Sequence, residues 1–290
     1  MFENNHKSLL ENIGSEILWI LPPYIAHSFW YYRFHKRIPD LKKPRTYDEK
    51  IHWLMINLYD KSYGKYVDKY LVRSYVKGCN LEKILIPLYG VYNSVSEIDY
   101  DNLPNKFILK VTHGSGENFY VICKDKTKLD YNKVNHNLEI ALKTKFSKTY
   151  CEYQYAGIKP RIICEKLLED EGQERMNDYK VVCADGKAKQ ILVCTNRDEG
   201  RDYYSIDWES LDYVKKEYRS GNRIEKPNCL KDMVKYAEIL SKPFPLARID
   251  FYILKNEIYF GEITLSPSAG NHLYLNEKGQ YEMGKQVSII

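Results

Sequence analysis

The sequence of 290 residues predicts an α+β protein in which antiparallel β-hairpins lie between helices. Residues 47–58 repeat apolar side chains at helical spacing, and Thr46 with Glu49 three residues later matches a capping box. Two stretches, residues 106–123 and 246–265, alternate apolar and polar side chains on either side of a turn, as hairpins do. A hydrophobic fraction of 44% allows a globular core.

The other predicted elements follow in chain order. Residues 1–60 should be mainly helical, residues 81–95 strand-rich and residues 198–228 irregular. Further helices are predicted at 65–77, 131–148 and 230–240, and strands at 106–111, 119–123, 161–168, 178–184, 188–195, 246–254 and 258–265. We expect three regions: a helical N-terminal region (1–80), a lobe with the first hairpin (81–168) and a C-terminal lobe with the last hairpin (169–290).

Composition restricts the class of partner. Lys and Arg outnumber Asp and Glu by 44 to 39, and a formal charge of +5 suits anionic ligands such as nucleotides or acidic sugars. No basic block or repeated module indicates nucleic-acid binding. The seven cysteines include no C-x-x-C pair and residues 1–14 lack a secretory apolar core, so we expect a cytoplasmic protein without a disulfide framework.

One apolar segment, residues 17–32, is long enough to be noticed as a membrane candidate. Pro22 and Pro23 interrupt it, and Glu16 and Arg33 bracket it too closely for a spanning helix. We predict buried or partner-facing structure there. A peripheral contact with the inner face of the membrane, or with a polysaccharide-assembly partner, is the alternative.

The first candidate site combines a lysine with a glycine-containing loop. Lys110 lies on the strand face opposite Phe107 and Leu109, four residues before Gly114. Gly114 and Gly116 allow successive backbone N–H groups to converge on an oxyanion, and Lys110 adds a charge for phosphate. Neither a P-loop nor a dinucleotide fingerprint is present. A plain hairpin turn is the alternative interpretation.

The second candidate site is a pair of carboxylates on the last hairpin. If residues 255–257 form the turn, residue 254 faces 258, 252 faces 260, 250 faces 262, and 248 faces 264. Polar side chains then share one face and apolar ones the other: Arg248, Asp250, Glu262 and Thr264 against Ile249, Phe251, Ile253, Tyr259 and Ile263. Opposed carboxylates repel unless a cation binds between them, which suits Mg²⁺ held jointly with phosphates. A two-residue turn is the alternative, and it would move Glu262 to the opposite face.

Taken in order, these segments resemble the ATP-grasp superfamily, and within it the TupA-like group named for teichuronopeptide biosynthesis. The resemblance runs from about Lys43 to Gly270. It is carried by the segments KPRTYDEKIHW, VDKYLVRSYV, LIPLYGVY, LPNKFILKVTHGSGENFYV, CEKLLED, DYKVVCADGKAK and ARIDFYILKNEIYFGEITLSPSAG. It implies an ATP-grasp fold, in which two lobes of antiparallel sheets and helices enclose an ATP cleft.

The resemblance also implies roles for individual residues. ATP phosphates would contact Lys110 and the loop residues Thr112, His113, Gly114, Ser115 and Gly116, adenine would contact Glu165, Lys166 and Leu168, and ribose would contact Asp178. Mg²⁺ would bind Asp250 and Glu262, with Thr264 where many ATP-grasp enzymes have Asn. Arg248, Lys110 and Lys180 would serve catalysis, and Ser266, Ser268 and Gly270 the substrate side. Asp68, Lys69 and Arg73 match a motif of the group to which the resemblance attaches no role.

The implied activity is ATP-dependent amide formation. A carboxylate, expected to be that of a uronic-acid sugar in capsule or other surface polysaccharide, would become an acylphosphate that an amine or amino acid attacks. A glycan-modifying phosphotransferase or glycosyltransferase is the alternative. A nucleotide-binding or membrane-assembly protein without activity, docked through residues 17–32, is a third interpretation.

Overall fold

The computed structural model describes residues 9–169, 176–195, 200–222 and 224–289, with side chains from residue 14 onward. The helices within these ranges are α1 (Leu9–Ile20), α2 (Pro23–His35), α3 (Tyr47–Asn57), α4 (Gly64–Val67), α5 (Val72–Gly78), α6 (Tyr131–Lys143), α7 (Leu230–Ser241) and α8 (Glu277–Gln286). None of the described helices combines the length and the apolar character that crossing a membrane requires.

The N-terminal region is helical, as predicted. The side chain of Thr46 accepts a hydrogen bond from the backbone N–H of Glu49, and the Glu49 carboxylate accepts one from the Thr46 backbone, which confirms the capping box of α3. The prediction of one continuous helix at 65–77 is wrong. It is two short helices, α4 and α5, because Asp68 leaves the helical conformation and caps the next turn through its side chain.

One lobe is built on a four-stranded sheet. Its strands are β1 (Leu88–Tyr92), β2 (Phe107–Val111), β3 (Tyr120–Cys123) and β4 (Ile162–Lys166), in the order β1-β4-β2-β3. Alternate side chains of β2, Phe107, Leu109 and Val111, are fully buried against α6. The same alternation turns Lys110 to the other face of the sheet.

The second lobe is built on a six-stranded antiparallel sheet. Its strands are β5 (Asp178–Ala184), β6 (Lys187–Thr195), β7 (Gly200–Ser205), β8 (Ser210–Leu211), β9 (Leu246–Leu254) and β10 (Glu257–Thr264), in the order β10-β9-β5-β6-β7-β8. Helix α7 covers one face and buries Met233, Ala237 and Leu240. A parallel bridge between Leu85 and Phe260 links this sheet to the segment that leads into β1.

The prediction of irregular structure at 198–228 is wrong for two strands, β7 and β8. The β7 sequence GRDYYS begins with glycine and two charged residues, so apolar alternation gives little signal. Tyr203 and Tyr204 nevertheless bury their rings and pair with β6. Helix α8, whose composition is mostly polar, was not predicted either.

Candidate active site

A cavity of about 1760 Å³ lies between the two sheets. Lys110 and the loop from Gly114 to Gly116 line it from the four-stranded lobe. Arg248, Asp250 and Glu262 line it from the six-stranded lobe. A volume above the usual 300–1,000 Å³ of a small-molecule pocket is enough for a nucleotide and further substrates together.

The hairpin of β9 and β10 closes with a two-residue turn, Lys255 and Asn256, so the three-residue turn that we predicted is wrong. Leu254 pairs with Glu257 and Tyr252 with Tyr259, one residue out of the predicted register. Both turn residues adopt positive φ, as this type of tight hairpin requires. A regular ladder from this turn would place Glu262 on the opposite face from Asp250.

A β-bulge at Gly261 reverses that outcome. The ladder shifts between Phe260 and Glu262, and beyond the shift Glu262 pairs with Asp250 and Thr264 with Arg248. The predicted pairing of the polar residues is therefore correct, although for a different reason. The predicted apolar face is wrong at Tyr259. Before the bulge, Ile258 and Phe260 are the buried residues of β10, while Tyr259 faces outward and donates a hydrogen bond to Glu257.

Three charged side chains form a row across neighbouring strands. Lys180 on β5 pairs in register with Asp250 on β9, which pairs with Glu262 on β10. The Lys180 ammonium lies 3.7 Å from Asp250 and 3.6 Å from Asp178. Burial and the nearby Arg248 lower the pKa of Lys180, but the attraction of the carboxylates outweighs them and leaves this pKa above its usual value.

Arg248 connects the polar groups of the hairpin. Its Nε and Nη2 donate to the two oxygens of Asp250, both at 2.7 Å, in the bidentate geometry that favours guanidinium–carboxylate pairs. Nη2 also lies 3.2 Å from the Thr264 hydroxyl and 3.5 Å from Glu262. Thr264 in turn donates to Glu262 at 3.2 Å. The four predicted residues thus form one hydrogen-bonded cluster.

The Glu262 carboxylate is held ionised by its surroundings. Burial opposes the charge, but Lys69 and Arg248 outweigh burial and lower the pKa to about 2. Lys69 lies 3.1 Å from Glu262 and donates to the carbonyl oxygen of Gly114 at 2.8 Å. This lysine, which the sequence left without a role, therefore links the carboxylate hairpin to the glycine loop.

Lys110 is positioned by a buried ion pair. Its ammonium lies 2.9 Å from Glu165 Oε2, and the guanidinium of Arg73 lies 2.9 Å from Oε1 of the same carboxylate. Arg73 also donates to the carbonyl oxygen of Ile86 at 2.8 Å. Glu165 is buried, and its side chain orients Lys110 instead of facing the cavity. Arg73, the third residue of the motif without an assigned role, fixes Glu165.

The glycine loop contains one position where a side chain does not fit. A Cβ on Gly114 would lie 2.2 Å from the ring of Phe119, and Gly116 adopts a φ of 96°. Both glycines are required by this loop conformation. His113 is buried beneath the loop, where its Nε2 lies 2.9 Å from the carbonyl oxygen of Thr144.

The loop after β10 is fixed from the helical region. Ser268 and Ala269 adopt left-handed backbone conformations with φ of 51° and 48°, which cost energy for residues with side chains. The buried Asp48 of α3 accepts hydrogen bonds from the backbone and ring of His272, at 2.9 and 2.5 Å. A tertiary contact of this kind can hold a strained loop in place.

The cavity brings together most of the predicted site residues, and a few lie outside its lining. Those that line it are Lys110, Gly114, Ser115, Gly116, Lys166, Leu168, Asp178, Lys180, Arg248, Asp250, Glu262, Thr264, Ser266 and Ser268. Those that do not are Thr112, His113, Glu165 and Gly270. Three of these four are buried behind the residues that line the cavity: Thr112, His113 and Glu165.

A comparison of the sequence with known protein families decides the family of the chain. The model of the TupA-like ATP-grasp family matches residues 49–288. The chain belongs to this family. The match confirms the resemblance and the expected ATP-grasp fold, and it makes the protein a member of the ATP-grasp superfamily, which binds ATP.

Solved structures similar to this TupA-like ATP-grasp protein are distant. They include D-alanine–D-alanine ligase from Helicobacter pylori (17% identity, 77% of this chain and 58% of that chain, TM-score 0.41) and from Bacillus anthracis (16%, 76% and 65%, 0.45). L-amino acid ligase from Bacillus licheniformis matches at 10% identity over 90% of this chain and 57% of that chain, with a TM-score of 0.43. The chain spans less than two thirds of each of these structures. TM-scores below 0.5 add nothing to what the family match shows. No curated protein matches the chain.

Proposed function

We propose that this ATP-grasp protein is a ligase that joins a carboxylate to an amine, with an acylphosphate as intermediate and ADP and phosphate as products. The observation that carries the proposal is the convergence of cations and carboxylates on one cavity. Arg248, Lys180 and Lys69 surround Asp250 and Glu262 on one side, and Lys110 faces them from the other. Phosphoryl transfer needs positioning and charge neutralisation more than a protein nucleophile.

The nucleotide would bind along the junction of the two sheets. Lys110 and the backbone from Gly114 to Gly116 would contact its phosphates. Lys166 and Leu168, at the end of β4, line the same cavity and offer backbone groups to adenine. Asp178, at the start of β5, would accept hydrogen bonds from ribose.

The donor set on the hairpin fits Mg²⁺. Asp250 and Glu262 supply two carboxylates and Thr264 a hydroxyl from adjacent strands. Within the described ranges, no three His, Cys, Asp or Glu side chains are placed to hold a metal by themselves. This suits Mg²⁺, which takes its remaining ligands from phosphates and water. When bound there it would neutralise charge on the phosphates.

Arg248 would stabilise the phosphoryl group during transfer. Its side chain is only 12% exposed, and Asp250 holds its guanidinium at the wall of the cavity. Lys180 would add a second fixed charge in the same row. Because both cations are in place before substrates bind, little reorganisation is needed in the transition state.

For the substrates, we propose the carboxylate of a uronic-acid sugar and an amine or amino acid. The acid rests on the resemblance to proteins of surface-polysaccharide synthesis, and the formal charge of +5 suits an acidic sugar. The loop with Ser266 and Ser268 lines the cavity beyond the phosphate-binding cluster, where acid and amine would meet.

The test is an ADP-release screen that crosses glucuronic and galacturonic acids, free and nucleotide-linked, with amines and amino acids. Hydroxylamine in place of the amine should trap the acylphosphate as a hydroxamate when the correct acid and ATP are present. A stable phosphate ester without hydroxamate would identify a phosphotransferase instead. Release of AMP and pyrophosphate would mean adenylation, and no consumption of ATP with any acid would overturn the proposal.

A further inference from the structure

A buried carboxylate lies at the end of the cavity, outside the residues assigned so far. Glu152 is 5% exposed and accepts a hydrogen bond from the Ser266 hydroxyl at 2.5 Å. Gln154, fully buried, donates from Nε2 to the same hydroxyl at 2.6 Å. Glu152 and Ser266 both line the cavity. Three buried polar side chains from two distant parts of the chain thus form one hydrogen-bonded cluster.

This cluster has more acceptors than donors. Among the described residues, no Lys, Arg or His forms an ion pair with Glu152. Oε1 of Gln154 is buried without a hydrogen-bond partner. The one hydroxyl proton of Ser266 is already given to Glu152. A buried carboxylate without a cation costs free energy, and Glu152 lines the cavity, so a ligand that brings N–H groups and a positive charge would stabilise it.

The cluster lies close to the phosphate-binding groups. Ser266 follows Thr264 by two residues, directly after the end of β10. Tyr155 is partly buried and also lines the cavity: desolvation raises the pKa of its hydroxyl, and the carboxylates of Glu152 and Glu262, both near it, raise this pKa further. Glu152 therefore faces the cavity from the acceptor side, on the same side as the loop from Ser266 to Gly270.

We propose that Glu152, oriented by the Ser266 hydroxyl that Gln154 holds in place, binds the ammonium group of the acceptor amine and removes one of its protons before attack. This inference rests on the proposed ligase function and names the chemical class of its second substrate: a primary amine, cationic at neutral pH. The ammonium supplies the donors and the charge that the cluster lacks.

Amide formation takes two proton transfers and one displacement at the acyl carbon. The ammonium transfers one proton to the Glu152 carboxylate, and the nitrogen lone pair forms a bond to the acyl carbon. The bond from that carbon to the phosphate oxygen breaks, and the phosphate leaves with the electron pair. The nitrogen loses its second proton to the departing phosphate. Glu152 later returns its proton to water.

The chemistry of the side chain argues against a merely structural role. A glutamine at position 152 would accept the same hydrogen bond from Ser266 without the cost of burying a charge. Burial raises the pKa of Glu152 to about 7, against the opposing effect of the Ser266 hydrogen bond. A carboxylic acid in this range can give up its proton when a cation arrives and then accept one from it.

The binding test compares Glu152→Gln with the wild type and with Glu139→Gln, which removes an exposed carboxylate from α6. Calorimetry with Mg²⁺ and a non-hydrolysable ATP analogue measures the affinity of ammonium, ethanolamine, glycine, L-alanine, L-glutamate and L-lysine. We expect at least one amine to bind the wild type and Glu139→Gln equally, and Glu152→Gln more weakly by about tenfold or more. Equal affinity in Glu152→Gln, or no amine bound by the wild type, overturns the inference.

The kinetic test uses hydroxylamine, which is uncharged at neutral pH and needs no base. Glu152→Gln should keep hydroxamate formation near the wild-type rate while amide formation falls by about tenfold or more. Equal loss of both would show that Glu152 acts elsewhere and would overturn the inference. Failure of the ligase function gives a different result: the wild type would form no hydroxamate, while amine binding would still depend on Glu152.

Discussion

Lys69 and Glu262 form an ion pair of 3.1 Å that holds the two walls of the cavity together. The same ammonium donates to the carbonyl oxygen of Gly114, so one side chain touches both the carboxylate hairpin and the glycine loop. Its backbone N–H bonds to the carbonyl oxygen of Thr112, which fixes the lysine beside that loop. Lys69 is therefore placed to couple the conformation of the loop to the charge on Glu262.

Replacing Lys69 by methionine should loosen the glycine loop. The carbonyl oxygen of Gly114 would lose its donor while the backbone sequence stays unchanged. We expect faster amide hydrogen exchange at residues 114–118 in Lys69→Met than in the wild type. Lys65→Met, which removes an exposed lysine four residues away, should leave that exchange unchanged. Equal exchange in Lys69→Met and the wild type would mean that other contacts order the loop.

Mg-ATP should stabilise the protein by about 2.7 kcal/mol at a hundredfold excess over its dissociation constant. Lys110→Ala should lose much of this stabilisation, because a cation is removed from the phosphate site. The double variant Asp250→Asn with Glu262→Gln should lose its Mg²⁺ dependence. Thermal denaturation with and without Mg-ATP measures both effects. Lys106→Ala serves as the control, because Lys106 lies directly before the same strand and does not line the cavity. An equal shift in all variants would place the nucleotide elsewhere.

Removal of Arg248 should destabilise the protein without ligands and make Mg²⁺ more stabilising. Arg248→Ala leaves Asp250 without its bidentate partner, and breaking a buried pair costs about 3–5 kcal/mol. A divalent cation can replace the lost charge, so Mg²⁺ alone should restore more stability to Arg248→Ala than it adds to the wild type. Urea denaturation with and without Mg²⁺ measures this difference. Equal Mg²⁺ effects in both proteins would contradict a metal site on this hairpin.

The sequence predicted the two halves of the site but not the contacts that join them. The sequence marks Lys110 and the cluster of Arg248, Asp250 and Glu262 because these charged residues interrupt strongly apolar strands. Lys69 lies in the short turn between α4 and α5, and Arg73 lies in the first turn of the seven-residue α5, so no periodicity marks either side chain as inward-facing. Their partners, Glu262 and Glu165, are 193 and 92 residues away respectively.

The hairpin shows why register is harder to predict than pattern. The apolar residues Ile249, Phe251 and Ile263 required one core face, and this requirement correctly placed Glu262 beside Asp250. Local turn chemistry favoured the two-residue turn at Lys255 and Asn256. The two-residue turn and the shared core face are compatible because a bulge at Gly261 shifts the register by one residue. In the sequence, the only indication of this bulge is a glycine inside a strand.

Stability should fall with rising pH because of Glu152. Its pKa in the folded protein is about 7, above the 4.5 of an ordinary glutamate, because burial disfavours the charge. The folded state thus binds more protons than the unfolded state between these values. The contribution to stability is present below pH 4.5 and is lost as the pH rises through about 7.

This loss should reach about 3 kcal/mol above neutral pH, from 1.36 kcal/mol for each pKa difference of one. Glu152→Gln cannot ionise at this position and should not lose this contribution. The free energy of unfolding of the variant minus that of the wild type should therefore increase as the pH rises from 4.5 to about 8. Urea denaturation across this range measures the difference between the two curves. Parallel curves would mean that Glu152 titrates normally in the folded protein.

Thr264, which stands where many ATP-grasp enzymes have Asn, should contribute to Mg²⁺ binding. Its hydroxyl accepts from Arg248 and donates to Glu262, both at 3.2 Å, so it is placed beside both carboxylates of the proposed metal site. Valine has nearly the same shape without the hydroxyl. Thr264→Val should therefore raise the Mg²⁺ concentration needed for half-maximal ADP release, by about tenfold if the hydroxyl is worth roughly 1.4 kcal/mol to the site. Thr264→Ser keeps the hydroxyl and should need the wild-type concentration, and Thr264→Asn offers a carbonyl oxygen at the same place and should also retain activity. If Thr264→Val and Thr264→Ser require the same Mg²⁺ concentration as the wild type, the hydroxyl only orders Glu262 and the metal is held by the two carboxylates alone.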